Sequence, residues 1–251
     1  MDIVQTFYNN LAPQYDKLFL DWESATAEQA TMLDHLFKRF GFDRTATILD
    51  CACGIGTQAI GLAALGYDVT ASDISNSEIL EATKRAAQKA LKITFKQADF
   101  RNLDRSFSSK FDIVIAMDNA LPHMLDFDSL SAAVKSIASQ TSDNGIFVAS
   151  IRDYDELLKT KPTYSVPYIY KTEKGQRVSF QTWEWKGDNY RLVQYIIEDD
   201  ETVRVNKFEC EYRATRRGEL TELLLQEGYK TVQWFFPEDS GFYQPIVVAQ
   251  K

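Results

Sequence analysis

Apolar side chains at Met32, Leu33, Leu36 and Phe37 recur at three- and four-residue spacing, which predicts a helix over residues 27–40 closed by Gly41. A short buried strand follows over residues 47–52 and runs directly into Gly54-Ile55-Gly56. Residues 58–65 are apolar and Ala-rich, hence helical, and Gly66 stops them. The alternation then continues with a strand over 69–72 ending at Asp73, a helix over 77–90 and a strand over 93–95. A strongly apolar strand at 111–116 comes next, then a helix over 130–138, and a strand at 146–151 after Asn144-Gly145. Five strands alternating with helices imply a parallel sheet covered on both faces, because parallel strands need crossover connections. Near Pro162 the pattern changes. Residues 178–185 and 190–197 read as a hairpin around 186–189, with a third strand over 203–212. A helix over 217–226 ending at Gly228 precedes two last strands, 231–236 and 246–250. The expected architecture is a five-stranded α/β core with an antiparallel ending.

Composition narrows the class. A chain of 251 residues with 45% hydrophobic and 25% charged positions can bury a proper core and is not a disordered chain. Lys plus Arg number 28 against 36 for Asp plus Glu, a net charge of −8. An acidic surface repels a polyphosphate, and no local basic groove compensates, so no nucleic-acid partner is expected. No apolar run approaches the roughly 18 residues of a membrane helix, so no membrane partner is expected either. The first residues, MDIVQTFYNN, lack the basic and apolar regions of a secretion signal. Three cysteines, Cys51, Cys53 and Cys210, make no disulfide framework and fit a reducing, cytoplasmic setting.

The chemistry concentrates after the first strand. Gly54-Ile55-Gly56-Thr57-Gln58-Ala59 has the form G-x-G-x-x-A between a strand and a helix, and Asp73 stands 73 − 54 = 19 residues beyond the first glycine. That pattern fits a dinucleotide, or S-adenosylmethionine, whose ribose hydroxyls want the same acid. A pyrophosphate seeks helix N–H groups and avoids anions. Here Asp50, Asp73, Asp99 and Asp118 all close strands at one sheet edge. Such a ring of carboxylates suits a ligand carrying a sulfonium and an ammonium. The topology also lacks a complete second nucleotide-binding half.

These residues resemble class I S-adenosylmethionine-dependent methyltransferases. The run from Ile48 to Thr57 looks like their first motif, with Ala52 in place of the usual first glycine, a variant similar to glycine N-methyltransferases. The likeness extends to Thr26-Ala27-Glu28, to Asp118-Asn119-Ala120-Leu121-Pro122-His123 and to Arg152-Asp153-Tyr154-Asp155. It implies a Rossmann-like fold: a mainly parallel seven-stranded sheet with an antiparallel end and a small antiparallel β insertion. One domain would span 1–251, with a helical cap at 1–40, a core from 41–158 and 213–251, and a substrate-side insertion at 159–212.

Carried over by position, the resemblance sets Asp50, Ala52, Gly54 and Gly56 at the cofactor turn and Asp73 on the ribose hydroxyls. Ile74, Phe100 and Met117 would border the adenine, Asp99 would accept from its amino group, and Tyr15 would cover the cofactor. An Arg before the Thr-Ala-Glu run holds the cofactor carboxylate in glycine N-methyltransferases. Here Ala25 stands there, so another donor takes that role or the amino-acid end is held differently.

For the acceptor, the resemblance makes Arg152 the grip on an amino-acid carboxylate, with Asn119 adding a hydrogen bond. Tyr195, Tyr170 and Tyr212 match pocket positions, and His123 lies in the loop after the fourth strand. Methyl transfer to a neutral amine needs proximity, orientation and desolvation more than acid–base help. No Ser-His-Asp set and no metal cluster is expected. Cys51 and Cys53, one residue apart on a strand end, point away from each other. Arg152 has a plainer alternative as a surface residue paired with Asp153 or Asp155, and alternating aromatics in hairpins also serve cross-strand packing. The implied activity is N-methylation of a small-molecule amine such as glycine or sarcosine, with S-adenosylhomocysteine as by-product. Hydroxyl or protein acceptors, or a silent cofactor binder, are the alternatives, and homo-oligomerisation is left open.

Overall fold

The computed structural model describes residues 3–173 and 175–251. The chain opens with α1 (Ile3–Leu11), a 3-10 segment (Ala12–Leu18) and α2 (Trp22–Arg39), whose first turn is capped by the Asp21 carboxylate. Then come β1 (Thr47–Asp50), α3 (Thr57–Ala64), β2 (Asp68–Asp73), α4 (Asn76–Gln88) and β3 (Thr94–Gln97). A 3-10 segment (Phe100–Arg105) leads to β4 (Phe111–Ala116), α5 (Phe127–Gln140), β5 (Thr141–Ser150) and α6 (Tyr154–Thr160). Four long or exposed strands follow: β6 (Tyr168–Thr172), β7 (Gly175–Lys186), β8 (Asn189–Asp199) and β9 (Val203–Arg213). The chain closes with α7 (Arg217–Gln226), β10 (Thr231–Phe235), α8 (Pro237–Ser240) and β11 (Ile246–Gln250).

The large sheet has the order β10-β11-β5-β4-β1-β2-β3, parallel except for β11, which runs antiparallel to both neighbours. Its central strands β1, β4, β5 and β11 are apolar on both faces, as sheets covered by helices require, while the edge strands β3 and β10 are largely exposed. Leu49, Val114 and Phe147 enter one core, and Ile48, Ile113 and Val148 the other. From β1 the chain builds outward to β2 and β3, then returns to add β4 on the opposite side. That reversal between β1 and β4 opens a crevice at their carboxyl ends, where open α/β sheets bind ligands.

The second sheet is antiparallel, in the order β6-β7-β8-β9. Tyr190, Leu192 and Ile196 on β8 share an inward face with Cys210 and Tyr212 on β9, and all five join the core beneath the large sheet's carboxyl edge. Several elements differ from the sequence expectation. β6 is a fourth strand where three were read. Its residues are mostly exposed, so burial gave it no alternation to display. β5 starts at Thr141 rather than 146, because polar Thr141 pairs with Phe111 across a bulge. α1, α6 and α8 are additional, and α2 begins five residues before 27, at Trp22.

Close packing of α3 on α2 depends on Gly61. A Cβ there would meet the Thr26 carbonyl oxygen at 2.6 Å and the Ala30 Cβ at 2.7 Å. Gly61→Ala is therefore expected to lower stability by about 1–3 kcal/mol, the cost of overpacking a tight core. Urea unfolding checks this, and a change within about 0.5 kcal/mol would mean that the helix pair separates freely. Among the described residues no helix is long and apolar enough to cross a membrane.

Candidate functional site

Two neighbouring cavities open at the carboxyl edge of the large sheet. The first, about 460 Å³, is bordered by Ala52, Cys53 and Gly54 after β1, by Asp73 and Ile74 after β2, and by Asp99 and Phe100 after β3. Met117 and Asp118 after β4, with Tyr8 and Tyr15 from the N-terminal segment, complete it. Gly54 and Gly56 have φ of +52° and +92°, a left-handed backbone that disfavours side chains. The turn is tied to β2 because the Gly54 amide donates to Asp73 Oδ2 at 2.9 Å and the Cys53 amide to the Ser72 carbonyl at 3.0 Å. Gly56 itself does not border the cavity. A Cβ there would strike Ile60 Cδ1 at 2.8 Å, so this glycine lets α3 and α4 approach.

Acidity dominates this cavity. Burial pushes the Asp73 carboxyl up to about 6, even though the Ser75 and Gly54 amides stabilise its anion. Asp118 is raised by burial as well, partly offset by hydrogen bonds from Gln58 and Tyr243. Asp50 is fully buried behind the turn, not on the cavity wall. One of its oxygens receives the Ala52 amide at 3.3 Å, the other has no partner, and burial, with Asp73 and Asp118 nearby, drives its pKa far up. Both Glu78 oxygens are buried without a partner beside the same turn, and burial, then Asp73, raises that carboxyl too. A cluster of carboxylates all raised together is short of positive charge, the deficit that a cationic ligand corrects and a diphosphate worsens. Asp99 is less free than expected: it caps the 3-10 segment and pairs with Arg101 Nη2 at 2.6 Å.

The second cavity, about 940 Å³, lies between that crevice and the inward face of the second sheet. Tyr8, Tyr15 and Asp118 border both cavities and mark their junction. Burial raises the Tyr8 and Tyr15 hydroxyls well above their usual pKa, so at neutral pH both are uncharged. Arg152, just beyond β5, faces this cavity. Its Nη1 donates to the Tyr190 hydroxyl at 2.7 Å and its Nη2 to Gln181 Oε1 at 2.9 Å. The Trp183 and Tyr212 rings lie 5.1 and 5.5 Å from the guanidinium carbon. Among the described residues no carboxylate pairs with it. Asp153 and Asp155 are both taken by Arg217, so the surface-pair alternative for Arg152 does not hold. Arg152 remains firmly charged: burial opposes the charge, but the surrounding Tyr190, Tyr154 and Tyr212 outweigh it.

Asn119 sits in the left-handed region, φ +69°, and its Oδ1 accepts from the Arg152 amide at 3.0 Å and from Tyr154 at 3.1 Å. Its Nδ2 is buried without a partner, a free donor next to Arg152. Tyr212 borders the cavity and lies 4.1 Å from the His123 ring, measured between centroids. His123 borders the first cavity and is held between the Tyr8 hydroxyl, 2.9 Å from Nε2, and the Glu211 carbonyl, 3.3 Å from Nδ1. Tyr170 borders the second cavity and reaches the Leu18 carbonyl at 3.4 Å. Tyr195 is the exception. Gln194 and Gln181 pair on the inward face, so Tyr195 and its partner Phe180 project to the opposite one, where their rings stack at 4.9 Å. Following the period of two along a strand, Tyr195 faces away from Gln194 and borders neither cavity.

Sequence reasoning missed Tyr8, Gln181 and Gln58. Gln58 Nε2 bridges Gln29 Oε1 at 2.6 Å and Asp118 Oδ2 at 2.9 Å, close to the helix that carries Ala25. Gln181 had a readable signal: Ser179, Gln181, Trp183 and Trp185 share one face, and a glutamine on an otherwise inward aromatic face asks for a polar task.

This geometry is that of a class I S-adenosylmethionine-dependent methyltransferase, with S-adenosylmethionine as its cofactor. Residues 48–145 match the family model of a methyltransferase domain. The chain is similar to a glycine/sarcosine N-methyltransferase of Parasynechococcus marenigrum, 28% identical over 98% of this chain and 85% of that protein. It is also similar to the glycine N-methyltransferase of Oryctolagus cuniculus, 28% identical over 81% of this chain and 75% of the relative. Among solved structures, an amino pentose methyltransferase of Micromonospora echinaspora with bound S-adenosylmethionine shares the fold. Its TM-score is 0.78 at 16% identity, covering 90% of this chain and 91% of that one.

Proposed function

We propose that this methyltransferase N-methylates an amine that carries a carboxylate, in the manner of an amino acid, and that Arg152 is the residue that holds the carboxylate. The observation behind this reading is a charged guanidinium facing a cavity with no carboxylate partner of its own. An Arg fork matches a carboxylate for two parallel hydrogen bonds, and Asn119 Nδ2 is a further unpartnered donor beside it. The names of the similar N-methyltransferases support both the amine and the amino-acid class.

In the same reading the first cavity takes the cofactor, which supplies a methyl group on an electrophilic sulfonium. Asp73 accepts from the ribose hydroxyls, and Ile74, Phe100 and Met117 enclose the adenine, whose amino group competes with Arg101 for Asp99. Ala52 and Gly54 allow close approach of the methionine part, with Asp50 and Gly56 acting behind them on the shape of the turn. Tyr15, at the junction of the cavities, covers the cofactor and excludes water from the reacting centre. His123 fixes the Tyr8 hydroxyl there. Tyr212 and Tyr170 line the acceptor side, and residues 159–212 serve as its wall.

Mass spectrometry of reactions with S-adenosylmethionine and glycine, sarcosine, dimethylglycine or other amino acids tests this. S-adenosylhomocysteine formed together with an N-methylated amino acid is the expected result. Methyl groups found on a hydroxyl or a protein side chain, or tight cofactor binding with no turnover, would replace it with the alternative acceptors or with a silent binder.

A further inference from the structure

We infer that the preferred acceptor is a carboxylate-bearing amine with a bulky, aromatic or apolar body, and that glycine and sarcosine fill the site poorly. This rests on Arg152 as the carboxylate anchor. The first argument is size. At about 940 Å³ the acceptor cavity is twice the 460 Å³ of the cavity proposed for a whole nucleoside bearing an amino acid. It lies near the upper end of the range of roughly 300–1,000 Å³ that holds drug-sized ligands. Glycine anchored on Arg152 leaves most of that volume to water beside the reacting amine, which weakens the desolvation that methyl transfer uses.

The second argument is the shape and chemistry of the wall. On the inward face of β7, Arg177, Ser179, Gln181 and Trp183 follow one another at every second position, and Tyr170 and Tyr168 stand opposite Arg177 and Ser179. From Trp183 to Ser179, the part of this face that borders the cavity, the wall extends over four residues of strand, roughly 13 Å, and Tyr168 and Tyr170 on β6 continue it. Trp183 stands at the anchored end beside Arg152, and the stacked Tyr168 and Tyr170 rings, 6.2 Å apart, at the far end. Between them the small Ser179 leaves room where a larger side chain would fill the cavity.

The amides of the wall bond to one another and to Ser179, whereas the Arg177 Nε beyond them is buried without a partner. Gln181 Nε2 donates to Gln194 Oε1 at 2.9 Å, and Gln194 Nε2 to Ser179 Oγ at 3.0 Å. Of the acids at the rim, Asp153 is engaged with Arg217 and Glu156 with Lys159, while Glu238 has no ion pair among the described residues. Beyond the anchor, then, the middle of the wall, from Trp183 to Ser179 and Tyr168, offers aromatic faces and internally bonded amides, with the charges of Glu238 and Arg177 at its margins. Such a surface rewards a large uncharged body. The roof is held over it by Tyr170 on the Leu18 carbonyl and Arg177 on the Phe19 carbonyl.

The test is a panel of glycine, sarcosine, alanine, phenylalanine, tyrosine, tryptophan and phenethylamine, with S-adenosylhomocysteine release measured at saturating S-adenosylmethionine. Quenching of tryptophan fluorescence by non-absorbing panel members, in the presence of S-adenosylhomocysteine, reports binding separately from turnover. At least one aromatic amino acid is expected to exceed glycine at least tenfold in kcat/KM, and phenylalanine to exceed phenethylamine at least tenfold. Glycine or sarcosine matching the aromatic amino acids overturns the inference and leaves the Arg152 anchor standing. Phenethylamine matching phenylalanine overturns the anchor, and with it both readings. Cofactor binding with no methylated product anywhere in the panel also overturns both.

Discussion

Replacing Arg152 with Ala is expected to raise the acceptor KM by about ten- to a hundredfold while leaving cofactor affinity within about twofold. A hydrogen bond to a charged group contributes about 1.5–3 kcal/mol, and each 1.4 kcal/mol is a factor of ten in binding. The guanidinium faces the acceptor cavity and does not border the first one, so the effect should fall on one ligand alone. Removing it also strips partners from the Tyr190 hydroxyl and Gln181 Oε1, which raises the question of structural damage. Arg152→Lys resolves this. It keeps the positive charge and loses only the fork, so it should recover part of the KM without restoring the wild-type value. Unchanged acceptor KM in Arg152→Ala, with normal cofactor binding, would remove the carboxylate anchor.

The core was legible because parallel strands must be apolar on both faces and must be separated by crossovers. Ile48-Leu49, the apolar run of β4 and the glycine turn state that almost without tertiary context. The cofactor side was legible for a related reason. Gly54 and Asp73 are joined by a direct amide–carboxylate hydrogen bond, so their 19-residue spacing records a real contact. The acceptor side was harder. β6 earns its place by edge pairing with β7, which leaves no periodic trace in exposed residues. Tyr195 failed on parity: one residue of register along β8 moves a side chain from Gln194's face to the opposite one, and no single aromatic announces which face it takes. Tyr8 and Gln58 reach the site from α1 and α3 through contacts 115 and 60 residues apart, to His123 and Asp118, which only the assembled fold creates.

Asp73→Asn is expected to weaken S-adenosylmethionine binding on the order of a hundredfold, because two hydrogen bonds to a charged acceptor are worth about 3 kcal/mol together. The wild type should also show a pH signature that the variant lacks. Asp73 titrates near 6 in the folded protein against 3.8 ordinarily, chiefly because it is buried. A cationic ligand with ribose hydroxyls favours the ionised form, so cofactor affinity should climb as pH rises through about 6 and level off above it. Stability of the ligand-free protein should run the other way. A carboxyl whose folded pKa is raised contributes most when protonated, below its unfolded value near 4, and that contribution is lost as pH climbs to about 6. Over that window the wild type should lose about 2–3 kcal/mol relative to Asp73→Asn, since each pKa unit is worth 1.36 kcal/mol. Urea unfolding of both proteins between pH 4 and 7, with cofactor titrations at the same points, reads both quantities. Affinity that stays flat across pH 6 in the wild type would mean that the ribose acid is already ionised before the ligand arrives. The two amides on Asp73, from Gly54 and Ser75, would then outweigh its burial.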